Sequence, residues 1–259
     1  MTALLASQLH ERRRAPLAWG LPIGLMSAFV VAIFPAVEEA LSKVVGQYPS
    51  ALKEAFGIEE LSTVTQYLDA EMLSLIVPLA LGYLAGRAVA SGLSGAAENG
   101  RLDVLLSAPV ARRGLVAATF LAAAVELAVV LAVSLALTML GSLLAGAGLP
   151  FWSALAGFAN VWPLALVFAG FAVLATGWSL QTSIVTGSVA GLLVTMYVVD
   201  LVGKLDPSLD WLRYGSVFRY YGKAIENGIE PLAFAGVTAV AVAVAGVGAA
   251  LFERRDIAG

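Results

Sequence analysis

The chain has no cysteine and one histidine, His10, among its 259 residues. Neither a disulfide nor a thiolate metal site can form without a thiol, and one imidazole cannot build a zinc hydrolase. No Ser–His pairing and no pair of membrane aspartates suggests an intramembrane protease. A phosphate-cradling loop is missing as well. Gly222-Lys223-Ala224 and Gly203-Lys204-Leu205 both lack the earlier glycine and the Ser or Thr that a P-loop needs. Charge is also scarce, at 13% of residues against 60% hydrophobic, with a mean hydropathy of +0.89. An ordinary soluble domain does not have this composition. No residue is assigned a catalytic, cofactor-binding or metal-binding role.

What is present is apolar length. A helix needs about 20 residues to cross the hydrocarbon core, and six runs qualify: 17–37, 72–97, 115–149, 152–178, 183–202 and 232–252. The predicted fold class is an all-α integral membrane protein, a single transmembrane domain over 1–259. The third run exceeds one flat crossing, so it tilts or projects. Gly146-Ala147-Gly148-Leu149-Pro150 supplies the only strong turn there. No internal repeat is visible, which counts against many secondary-transporter folds.

Orientation follows from the basic residues of short loops. With both termini inside, the cytoplasmic segments carry Arg12, Arg13, Arg14, Arg101, Arg112, Arg113, Arg254 and Arg255, opposed by few acids. The expected location is a cell membrane, multi-pass, with cytoplasmic N and C termini. Residues 1–14 place Leu4, Leu5 and Leu9 on one helical face, as in an amphipathic helix lying on the inner surface. Residues 38–71 form a polar insert expected to make outer-face helices. Residues 203–230 interleave Trp211, Tyr214, Phe218, Tyr220 and Tyr221 with Arg213, Arg219 and Lys223, a pattern suited to the headgroup zone.

Between the second and third runs lies a charged island, 98–113. Leu102, Leu105 and Leu106 fall at i, i+3 and i+4, an apolar stripe fit for a groove on another protein, with Glu98, Arg101 and Asp103 flanking it. Asn99 can cap its start and Pro109 can stop it. A plain solvated loop, with Arg112-Arg113 as a topology anchor, is the competing account.

The run Glu98-Asn99-Gly100-Arg101-Leu102-Asp103-Val104-Leu105-Leu106-Ser107-Ala108-Pro109-Val110-Ala111-Arg112 resembles the Glu-x-Gly-Thr-Leu-x-x-Leu-Leu-x-x-Pro-Val-x-Arg signature of type-2 ATP-binding-cassette (ABC) transporter permeases. Ser216-Val217-Phe218-Arg219-Tyr220 is similar to that family's Ser-Pro-Phe-x-Tyr patch, and Phe252-Glu253-Arg254-Arg255-Asp256 to its closing tail. Arg101 stands for the usual Thr, Val217 for Pro, and the Lys common early in the third span is absent from Gly114-Leu115-Val116-Ala117-Ala118-Thr119.

The resemblance implies a type-2 exporter permease fold, with 98–107 as a coupling helix. Glu98, Arg101, Leu102, Asp103, Leu105 and Leu106 would then contact a separate ABC ATPase subunit. It also implies ATP and magnesium bound in that partner and not in this chain, and a second permease chain completing a homodimer or heterodimer. Membrane lipid is the remaining partner, and nucleic acid is not one. The alternative function is an ATP-independent secondary transporter or channel.

Two charges interrupt the spans. At 1.5 Å per residue, Arg87 lies about 16 Å from Glu98 and Glu126 about 20 Å beyond Arg113, which predicts an intramembrane Arg87–Glu126 pair. Gly236, Ala239, Ala243, Gly246 and Ala250 on the last run, and Gly82 and Gly86 on the second, are expected to give close helix packing. Ser134, Thr138, Thr176, Gln181, Thr182 and Ser183 suit either cargo contact or packing.

Overall fold

A computed structural model describes residues 2–46, 63–100 and 111–254. Among these residues the secondary structure is helical and six helices are long and apolar enough to cross a membrane. A backbone in hydrocarbon must satisfy its own polar groups, which is why such runs fold as helices.

Helix α1 (Thr2–Glu11) is joined by a turn through Arg12–Arg14 to α2 (Ala15–Gly46). After the short α3 (Val64–Leu68) comes a π-helical turn, Asp69–Leu73, leading into α4 (Ile76–Glu98). Helices α5 (Arg112–Ala145) and α6 (Phe151–Thr176) follow, then α7 (Thr182–Leu205). Two 3-10 segments, Pro207–Gly215 and Val217–Tyr220, and the short α8 (Ala224–Asn227) cap the far end before α9 (Pro231–Arg254). The island residues 101–110, the insert residues 47–62 and the tail residues 255–259 lie outside the described residues. Arg101, Leu102, Asp103, Leu105 and Leu106 are therefore among the residues not described.

Helix α5 has 34 residues, about 51 Å at 1.5 Å each, well beyond a hydrocarbon core of about 30 Å. It ends at Gly146, whose φ of 64° is the left-handed conformation that glycine adopts without strain. The Ser142 carbonyl accepts from Ala147 N–H and the Ser142 hydroxyl from Leu149 N–H at 3.0 Å, closing the turn into α6.

Small residues set the helix registers. A Cβ on Gly20 would meet Val133 at 3.0 Å, one on Gly24 would meet Leu137 at 2.8 Å, and one on Gly141 would meet Ala28 at 2.7 Å. These contacts ascend together along both helices, so α2 and α5 run parallel. Gly82 and Gly86 bring α4 against Leu193 and Val189 of α7, antiparallel. On the last span the predicted stripe faces the wrong way for intrachain packing. Gly236 and Gly246 have nothing within 4 Å of a built Cβ, whereas Gly248 lies against Leu174 and the buried face is Ala241, Ala245, Gly248 and Phe252. Helix α6, the most enclosed, decides this by presenting Gly170 and Leu174 to that face.

Candidate functional site

The ends of α4, α5, α6, α7 and α9 that bracket the island share one end of the bundle. Helix α4 closes with Gly100 at φ 66°, a left-handed residue just past the helix. The Asn99 side chain donates backward to the Gly95 carbonyl at 2.7 Å. Asn99 thus helps finish α4, and its described side-chain bond does not point to the island it was expected to cap.

Glu98 is exposed and turned sideways. One carboxylate oxygen accepts from the Thr182 backbone N–H at 2.8 Å and the other from the Thr182 hydroxyl at 2.7 Å. Thr182 is the first residue of α7, whose preceding Gln181 makes no side-chain cap. A carboxylate there fills orphan N–H capacity and meets the positive end of the helix dipole. On the exit side, Arg112 and Arg113 begin α5. Arg113 Nε forms a salt bridge with the Glu253 carboxylate, and Arg112 Nη1 donates to the Glu253 carbonyl at 3.4 Å. The segment's entry is thereby fastened to α7 and its exit to α9. Thr182 was expected only as a cargo-contact or packing residue, and Glu253 was not a predicted site residue. The closing-tail motif was the signal in the sequence for Glu253.

The buried charge pair has a different cation from the one expected. Arg12 Nη1 lies 3.5 Å from Glu126 Oε2, with side-chain exposures of 12% and 4%. Arg12 Nη2 donates to Gln8 Oε1 at 3.3 Å. Arg87 is exposed and acts on Glu126 only at longer range. The cause is register. Helices α2 and α5 pack with their contacts 113 residues apart, as in Gly20 with Val133 and Gly24 with Leu137, and the same parallel alignment carries Arg12 to Glu126. Gly92 makes room for it, since a Cβ there would collide with the Arg12 guanidinium and with Thr119. Burial pulls the Arg12 guanidinium below its ordinary value, and the Glu126 charge opposes the shift. The guanidinium stays protonated.

At the far end a charged network holds the cap. Asp200, buried, receives Lys204 at 2.7 Å and Arg213 Nε at 3.0 Å. Arg213 and Arg219 both donate to Asp210, and Arg219 lies 3.9 Å above the Tyr214 ring. Ser216, from the Ser-x-Phe-x-Tyr patch, donates to the Met196 carbonyl at 2.7 Å and accepts from Phe218 N–H. Phe218 packs on Tyr197 and Phe168. Lys204 holds Asp200 and Lys223 lies 3.7 Å from Glu226, so the two Gly-Lys sites serve ion pairs. Ser134, Thr138 and Thr176 are buried and donate to backbone carbonyls of Gly20, Ser134 and Val173.

Among the described residues, six helices of membrane length packed through buried small-residue seams define an all-helical, multi-pass membrane protein. The family described as "Multidrug efflux system permease Rv1217c, C-terminal domain" matches residues 3–253, and the chain belongs to that family. A comparison with curated proteins finds no match.

Proposed function

We propose that the chain is the membrane subunit of an ATP-binding-cassette exporter of the type-2 class, moving a lipophilic or amphipathic substrate. In this reading both termini are cytoplasmic, and 98–107 docks on a separate ATPase subunit that binds ATP and magnesium. A second permease chain completes the pathway. ATP hydrolysis in the partner supplies the work, and this chain's residues transmit it. Closure of the partner displaces the docked segment, and a rigid-body switch follows because the segment's ends are fixed to moving helices.

The observation that carries the reading is the double fastening of the island. Glu98 bonds Thr182 at the start of α7, and Arg113 bonds Glu253 at the end of α9. A push on the segment is delivered to four helices rather than dissipated in a loop. The leucine stripe of Leu102, Leu105 and Leu106 supplies the contact. The ATP-independent transporter reading needs ionisable groups available at mid-depth. Glu126 is already held by Arg12, and Asp200 by Lys204 and Arg213, which leaves Arg87 on α4 as the charge that reading would have to use.

The test is co-purification with the candidate ATPase subunit and transport by the reconstituted pair. Leu105→Asp combined with Leu106→Asp is expected to release the ATPase and abolish transport. Unchanged binding, or external labelling of a cysteine placed at 105 in cells, overturns the assignment.

A further inference from the structure

Helix α5 shows which side of the bundle meets the bilayer. Its exposed large apolar side chains run from Leu121 through Val125, Val129 and Leu140 to Leu144. From Leu121 to Leu144 is about 35 Å at 1.5 Å per residue, enough to cover a hydrocarbon core of about 30 Å. An apolar face of that length on a multi-pass protein is covered by lipid.

Within this stretch a cavity of about 320 Å³ opens between α5, α6 and the start of α9. Ala128 and Ala132 of α5 stand exposed at its mouth, and Leu131 and Phe158 form its buried floor. Ala159 of α6 lines the opposite side. Alanine at these three places stops short of the space between the helices, where close packing would otherwise leave few gaps larger than a water molecule. The mouth is continuous with the lipid-facing side of α5, because Val125 and Val129, each three residues before one of the mouth alanines, are exposed as well.

One wall is fixed in place. Trp162 Nε1 donates to the Ala124 carbonyl at 2.9 Å, and the Trp162 and Phe234 rings stack with centroids 6.4 Å apart and planes 14° from parallel. Both rings line the cavity. With its N–H already bonded to α5, the indole offers the cavity only apolar surface. Every lining side chain is Ala, Leu, Phe or Trp. Pockets that select a small-molecule ligand carry a few placed polar groups among apolar walls, and none converges here among the described residues. What fits is a flexible chain of methylenes, which needs no polar partner. Between apolar surfaces in hydrocarbon there is no hydrophobic drive. Retention comes instead from dispersion contact with walls already in place, which spares the site any rearrangement on filling.

We propose that this cavity is a site for one acyl chain of a membrane phospholipid, held as a resident component of the fold and not as cargo. The chain closes the gap between α5 and α6 and backs the Trp162–Phe234 stack that ties α6 to α9. Occupancy calls for neither ATP nor a partner subunit, so the site stands apart from the transport reading above.

Full-length protein in phosphatidylcholine nanodiscs, doped with a trace of phosphatidylcholine carrying a diazirine midway along one acyl chain, is photolysed and the adducts are mapped by mass spectrometry. Adducts on the cavity residues of 128–135 and 155–162 are expected to exceed at least fivefold those on Val240, Val242 and Val247 of α9, which are exposed to ordinary lipid. Ala132→Phe combined with Ala159→Phe fills the space and should bring the two to parity. The ratio in the unmodified protein decides the case if that variant does not fold. Adamantyl diazirine, a compact hydrocarbon without a chain, is the comparison probe and should show the smaller preference for the cavity. Equal lipid labelling of cavity and α9 overturns the site as ordinary bilayer contact. A stronger preference by adamantyl diazirine than by the lipid overturns it as a pocket for compact cargo. Protection from both probes overturns it as a face covered by a second chain.

Discussion

Arg12 Nη1 stands 3.5 Å from Glu126 Oε2, joining the turn after α1 to the interior of α5 across 114 residues of chain. The contact ties the N-terminal helix to the transport bundle. Gln8 completes it from α1, and Gly92 of α4 leaves the space. Three helices therefore meet at one guanidinium.

Removing Arg12 strands Glu126 in a buried setting. Breaking one side of a buried pair costs about 3–5 kcal/mol, so Arg12→Met should lower the melting temperature in nanodiscs, followed by tryptophan fluorescence. Arg87→Met should leave it near wild type, because Arg87 is exposed. Exchanging the charges, Arg12→Glu with Glu126→Arg, should recover at least half the loss. Equal damage from Arg87→Met would refute the pairing.

Glu98→Ala should loosen the start of α7 before it changes the rest of the fold. Hydrogen exchange at the amides of 182–185 is expected to accelerate, while Glu98→Gln, which keeps an acceptor, gives an intermediate rate. Transport by the reconstituted pair should fall while ATPase-subunit binding through the leucine stripe persists. Wild-type exchange in Glu98→Ala would show that the Thr182 bonds carry no constraint.

The last helix offers a paired comparison. Gly248→Val drives a Cβ to 2.5 Å from the Leu174 backbone nitrogen, and overpacking of that kind costs about 1–3 kcal/mol. Gly246→Val, two residues earlier, meets open space and should leave the melting temperature almost unmoved. A reversed order would mean that α9 presents its other face to α6.

The far-end network should respond to acid. The Asp210 carboxyl is held below its usual range, first by the Arg213 hydrogen bond and further by Arg219, and Asp206 is held low by Ser208. Because the folded-state values are the lower ones, the contribution is complete above the range where a free aspartate titrates. It is lost as pH falls through the folded values. Exchange at residues 207–220 should therefore stay slow at neutral pH and rise steeply below the ordinary aspartate range. Asp210→Asn should abolish much of that step, and a pH-independent profile would remove the network from any role in holding the cap.

Much of the fold was readable because hydropathy reports directly on the solvent a segment can tolerate. The apolar run at 17–37 lies within α2 and that at 232–252 within α9. The Gly146 turn was readable from its glycines and proline. The site was less legible. Glu98 stood out by motif, but its bond to Thr182 joins residues 84 apart, and no local pattern encodes that distance.

The chain's apolar runs by themselves determined that it is helical with six segments long and apolar enough to cross a membrane, because hydrocarbon admits only segments that satisfy their own backbone bonds over about 20 residues. Which charges meet was left to tertiary structure. Arg12 rather than Arg87 reaches Glu126 because Gly20, Gly24 and Gly141 let α2 and α5 interlock in one parallel register. That register depends on close contact between distant surfaces, and spacing along the chain does not specify it.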